Sequence, residues 1–192
     1  LSDPRMVLLT DEGRAQVQAA RDALRAVEFD VAVHSGLPRT VETAGIVLTG
    51  RGIEARMEEG FEELKSGWLV AESREELAAR LAFAFDDAAG SEAAFLPGGE
   101  RFSDAERRIT EAMERLIAGS PWKTALVVAH EGVNRILLGW ACGGGLATIG
   151  AFEQDLARRR LFEPQDELAG GGLAAAALPD HAQRAAGLDG EG

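Results

Sequence analysis

Apolar residues recur at helical spacing through Val17, Ala20, Leu24 and Val27, behind Thr10 and the acidic pair Asp11 and Glu12. A capping hydroxyl followed by acids at the positive end of the helix dipole predicts a helix over 11–27. The pattern then changes. "FDVAVHS" (29–35) is short, valine-rich and lacks polar alternation, which predicts a strand covered on both faces. Pro38 suits the first turn of a helix running to about Leu48. "GIEARME" (52–58) predicts a second strand, and "GFEELKSGW" (60–68), with mixed polarity and two glycines, predicts a loop.

Ser73 with Glu76, and Ser103 with Glu106, match the Ser-x-x-Glu capping box and predict helices over 74–89 and 104–118. In the second, Ala105, Ile109, Met113 and Leu116 make the apolar stripe. "TALVVAH" (124–130) is the clearest strand, and "GVNRILLGWAC" (132–142) is the helix behind it. Strands alternating with helices predict a three-layer α/β/α sandwich with a mostly parallel sheet. In such a sheet ligands bind at the carboxyl ends of the strands, where the following helices point their N-termini. The folded domain is expected over 1–162. Beyond it, 163–192 is dominated by Gly and Ala and reads as a flexible tail.

Composition narrows the chemistry. Twenty Lys and Arg against 32 Asp and Glu give a net charge of -12, so the surface as a whole repels nucleic acid and anionic membranes. An anionic ligand would need a local positive pocket. With no long apolar run and no signal-peptide pattern at the N-terminus, the reading is a soluble, cytoplasmic protein. One cysteine, Cys142, excludes an internal disulfide and reads as a buried small residue. Three histidines, His34, His130 and His181, give no metal-ligand spacing, so no metal or cofactor is expected.

His130 ends one strand, and Arg39 opens the helix that follows another, so both should reach the same rim of the sheet. Helix N-termini there offer free N–H groups, and a guanidinium adds a bidentate fork, a combination that suits a phosphate group. Each residue alone also fits a purely structural role: a satisfied histidine at a strand end, a solvated arginine in a first helical turn. Glu62 and Glu63, in the loop after the second strand, could protonate a leaving oxygen if the pocket raised one pKa. Their blander role is solvated surface.

These segments resemble those of a known family. "HSGLPRTVETA" (34–44) resembles the second arginine motif of the histidine phosphatase, or phosphoglycerate mutase-like, superfamily. "FEELKSG" (61–67) resembles its acid loop, "LPGGERFSDAERRI" (96–109) the segment before its penultimate helix, and "VVAHEGVNRILL" (127–138) its second histidine motif. The four occur in the family's order. The resemblance implies a phosphoglycerate mutase-like fold and a metal-free phosphatase acting on phosphorylated small molecules through a phosphohistidine. By position, Arg39 would bind phosphoryl oxygens, His130 would stabilise the transferring group, and Glu63 would be the general acid, with Glu62 the fallback. Ser35 and Glu131 would join Arg39 and His130 in contacting substrate.

The family's nucleophile, a histidine in an Arg-His-Gly motif ending the first strand, does not occur in the sequence. "LSDPRMVLLTDEGRAQV" resembles the family's segment just after that motif, so the nucleophile is expected upstream of Leu1. His34 and His181 are weak substitutes. The alternative is an inactive member that binds phosphorylated ligands or a partner protein without turnover. A nucleotide-binding module built on "GGGLATIG" (143–150) is set aside, because those glycines follow a helix and not a strand. Oligomeric state is not encoded in any of these patterns.

Overall fold

The computed structural model of the chain describes residues 4–65, 67, 73, 84–85, 88–90, 92–152 and 175–178. Among them are four strands, β1 (Val31–His34), β2 (Arg56–Met57), β3 (Ala125–Val128) and β4 (Ala175–Leu178). Four α-helices accompany them: α1 (Asp11–Ala23), α2 (Pro38–Leu48), α3 (Phe102–Ala118) and α4 (Glu131–Ala141). The sheet order is β2-β1-β3-β4, with β1 parallel to both β2 and β3 and β4 antiparallel to β3. The sheet is therefore mostly parallel, as expected. Its antiparallel edge comes from 175–178, inside the stretch read as a tail.

Alternate residues of the two central strands face opposite layers. Val33 and Val127 pack with Ile109, Met113, Val133 and Ile136 from α3 and α4. Ala32, Leu126 and Val128 pack with Val17, Ala44 and Val47 from α1 and α2. Each strand is thus apolar on both faces, which is why its sequence shows no polar alternation. The result is the α/β/α sandwich.

Thr10 caps α1 by accepting from the Gly13 N–H at 3.0 Å. That helix ends four residues earlier than its apolar spacing predicts. Arg51 donates to the carbonyls of Leu24 (2.7 Å) and Val27 (2.5 Å), giving them partners outside the helix, and stacks over Phe29. Pro38 opens α2, whose bounds agree with the prediction. β2 is only two residues long. α3 starts at Phe102, with Arg101 as N-cap and no side-chain cap, so Ser103 lies in its first turn instead of capping it. Most of the helix expected over 74–89 lies outside the described residues, as do Trp68 and His181. Cys142 follows α4 as its C-cap and is exposed, not buried. The glycines at 143–150 enter a 3-10 turn, Gly145–Ala151, that folds back on α4. No described helix is long and apolar enough to cross a membrane.

Candidate active site

β1 and β3 run side by side with His34 opposite Val128, and the Ser35 N–H bonds the Val128 carbonyl at 3.2 Å. The two chains therefore leave the sheet together. One turns through Gly36, at a positive φ of 87°, into α2, and the other passes through His130, the extended N-cap residue of α4. Two helix N-termini and their free N–H groups meet at one rim, a setting that favours anions.

His130 is almost fully enclosed, with 4% of its side chain exposed. Its Nε2 lies 2.7 Å from Ser35 Oγ, which lies 2.9 Å from Thr40 Oγ1. The other ring nitrogen, Nδ1, lies 3.1 Å from Arg39 Nη2 and 4.0 Å from Glu63 Oε2. Burial, with the Arg39 charge adding to it, pushes the His130 pKa down to about 4, so the ring is neutral at pH 7. Glu63 shifts the opposite way. Burial pushes its pKa up to about 7, against the Leu64 N–H donated to Oε1 at 3.0 Å and the Arg39 charge, with Glu131 adding to the rise. Oε1 accepts that N–H, which leaves Oε2 as the oxygen that faces His130.

The acid loop is held from two sides. Arg108 of α3 donates to the carbonyls of Gly60 (2.7 Å) and Glu62 (3.0 Å) and forms a two-pronged pair with Glu100. Glu100 in turn donates its backbone N–H to the Lys65 carbonyl at 2.8 Å. On the other side, Gly132 in the first turn of α4 lets the loop close in. A Cβ there would lie 2.7 Å from Leu64 Cδ1 and 3.1 Å from Glu63 Oε1.

Arg39, Glu63 and His130 thus converge. The remaining candidates do not. Glu62 turns away to pair with Arg5 at 3.0 Å, and Glu131 pairs along its helix with Arg135 at 2.8 Å. Ser35 is fully buried behind the His130 ring, where it has no face open to a substrate. His34 is held by its own turn, its Nδ1 accepting from the Gly36 N–H at 3.0 Å. Sequence reasoning passed over Thr40, Glu100 and Arg108. Thr40 stands in the same motif as Arg39, and a hydroxyl five residues after Ser35 was the available signal.

A cleft of about 720 Å³ adjoins the loop, lined in part by Glu59, Glu62, Glu63, Arg107, Arg108 and Glu111. It shares Glu63 with the convergent group, but neither Arg39 nor His130 lines it. Its lining mixes acidic and basic side chains, whereas the two helix N-termini lie beside Arg39 and His130. Among the described residues no cluster of His, Cys, Asp and Glu has the makings of a metal site.

Residues 3–169 match the family model of the histidine phosphatase superfamily, branch 1. An adenosylcobalamin/alpha-ribazole phosphatase from Salmonella typhimurium is 30% identical over 138 residues, which cover 68% of this chain and 65% of that protein. The match therefore spans less than two thirds of that relative's length. The crystal structure of the alpha-ribazole phosphatase from Shigella flexneri superposes with a TM-score of 0.62 at 26% identity, covering 77% of this chain and 73% of that one. YhfR of Bacillus stearothermophilus superposes with a TM-score of 0.62 at 25% identity, covering 95% and 90%. The extent of the family match and the similarity to these phosphatases lead to one conclusion: the chain belongs to the histidine phosphatase superfamily, branch 1.

Proposed function

We propose that the protein is a phosphatase that hydrolyses phosphate monoesters of small molecules through a phosphohistidine. The observation that carries this reading is the arrangement around His130 Nδ1: a guanidinium at 3.1 Å and, at 4.0 Å, a carboxyl that keeps its proton up to about pH 7. A cation and two helix N-termini can neutralise a phosphoryl group. A carboxylic acid beside them can protonate the oxygen that leaves.

In the proposed cycle the nucleophile is a histidine of an Arg-His-Gly segment ahead of Leu1. Its ring nitrogen attacks phosphorus, the ester P–O bond breaks, and the Glu63 proton passes to the leaving alkoxide. Water then attacks the phosphohistidine, Glu63 carboxylate takes a proton from that water, and the P–N bond breaks to release phosphate. Arg39 and His130 hold the phosphoryl oxygens through both steps.

The test compares leaving groups in the full-length protein. Glu63→Gln should cost roughly 10²–10⁴ in rate with an alkyl phosphate, whose alkoxide must be protonated. It should cost far less with p-nitrophenyl phosphate, whose phenolate leaves unaided. Equal losses on both would count against Glu63 as the acid, and full activity in His130→Ala would sink the assignment. Alpha-ribazole 5'-phosphate belongs on the substrate panel because two similar proteins are described as phosphatases of that class. Phosphate binding without turnover of any ester would favour the inactive, ligand-binding alternative.

A further inference from the structure

The hydroxyl pair behind His130 has no part in the proposed cycle, yet its donors and acceptors can be counted. Thr40 Oγ1 lies 2.8 Å from the Leu37 carbonyl, which can only accept, so the Thr40 proton is used there. The 2.9 Å contact between Thr40 and Ser35 must then be donated by Ser35. With its one proton spent, Ser35 Oγ can only accept from His130 Nε2 at 2.7 Å and from the Leu37 N–H at 3.4 Å. His130 Nε2 therefore carries hydrogen. On the far side of the ring the Arg39 N–H points at Nδ1, which must offer a lone pair.

Reversing the chain fails on two counts. Ser35 would have to donate to Nε2, which takes the Thr40 proton away from Leu37. The ring proton would then sit on Nδ1, facing an arginine N–H 3.1 Å away.

We propose that Ser35 and Thr40 are positioning residues, a hydroxyl relay that fixes His130 as its Nε2–H tautomer and presents Nδ1 to Arg39, Glu63 and a bound anion. The tautomer stands independently of the phosphatase reading; its use toward a phosphoryl group rests on that reading. With Nε2 already carrying hydrogen, a proton taken from solvent when an anion binds can enter only at Nδ1. The ring would then face the anion as a cationic donor. The groups at that nitrogen are Arg39 from α2 and Glu63 from the acid loop, and Glu131 in the first turn of α4 acts on Glu63.

Long-range ¹H–¹⁵N correlation of the ring nitrogens in ligand-free protein at pH 7 distinguishes the tautomers, with the His130 signals assigned by their loss in His130→Gln. Arg39→Met tests the relay with the opposing donor removed, and the Nε2–H pattern should persist. Adding Thr40→Val, which removes the hydroxyl but keeps the shape, should release the ring to a mixture or to Nδ1–H. Adding Thr40→Ser instead should retain Nε2–H. Ser35→Ala with Arg39→Met is the second release variant, should the valine variant fail to fold. Loss of Nε2–H in Arg39→Met alone would overturn the proposal, and so would an unchanged Nε2–H pattern in the folded release variants. Inorganic phosphate separates the two readings: if it leaves the wild-type His130 signals unmoved, the phosphatase assignment fails while the relay stands.

Discussion

Glu63 Oε2 faces His130 Nδ1 across 4.0 Å, and the two groups are displaced toward each other's ordinary range: the acid up to about 7, the imidazole down to about 4. At neutral pH neither is fully charged, so the contact is not an ion pair. It is a proton donor set beside a lone pair, kept beyond hydrogen-bond reach.

Linkage gives each shift a sign. Glu63 binds more proton folded than unfolded between its ordinary 4.5 and about 7, so its burial costs stability as pH rises through that window. His130 binds less proton folded than unfolded between about 4 and its ordinary 6.5, so stability is lost as pH falls through that range. The slopes oppose each other. Glu63→Gln should leave the His130 slope exposed, with Tm climbing more steeply from pH 4 to 6.5 and exceeding wild type above pH 7. His130→Gln should do the reverse, with Tm falling from pH 4.5 to 7. Thermal unfolding across pH reads both, and parallel curves for all three proteins would contradict the assigned shifts.

Arg108 joins two carbonyls of the acid loop to Glu100. Arg108→Met should destabilise by about 2–3 kcal/mol, because a largely enclosed carboxylate and two acceptors lose their donor. The rate with alkyl phosphates should fall more than that with p-nitrophenyl phosphate, since in the proposed cycle the loop supplies the acid while Arg39 and His130 hold the phosphoryl oxygens. Denaturant unfolding and paired kinetics measure the two effects separately.

Gly132→Ala inserts a methyl against Leu64 and Glu63 where the loop meets α4. Overpacking of this kind costs about 1–3 kcal/mol. The variant should still bind inorganic phosphate, yet show the same selective loss on poor leaving groups as Glu63→Gln. Loss of phosphate binding instead would mean that the first turn of α4 had shifted as a whole.

Arg51→Met should lower stability by about 1–3 kcal/mol, because the carbonyls of Leu24, Val27 and Val47 lose a shared donor. Activity should be untouched, since Arg51 lies in the opposite layer from the acid loop. A Tm within error of wild type would remove Arg51 as the reason α1 stops where it does.

Local features were the legible ones in the sequence. α2 could be read closely because Pro38 marks its start, and β3 could be located, though expected over 124–130 and found over Ala125–Val128, because "ALVV" is apolar at every position. The end of α1 could not, because the group that takes its carbonyls is 27 residues downstream of Leu24. The start of α3 moved for a similar reason. The Phe102 N–H bonds the Ala93 carbonyl at 2.8 Å, a pairing outside any capping-box pattern. At the site, motif spacing pointed to Arg39, Glu63 and His130, which the structure brings together. Setting Ser35 behind the ring instead of against a ligand required the third dimension: Thr40, 2.9 Å from Ser35, was not weighed as its neighbour.

The pairing of β1 with β3 sets Val33 opposite Val127 and His34 opposite Val128, which brings Ser35 and His130 to the same level. Slipping that ladder by a single residue would turn every side chain of one strand to the other face. The valines and alanines that forbid such a slip are buried and carry no titratable proton, yet they decide which atoms of the site can meet. Inheritance of the chemistry therefore runs through the greasiest part of the chain. A core substitution that shifts β1 against β3 should abolish the proposed activity while leaving every polar residue of the site in the sequence.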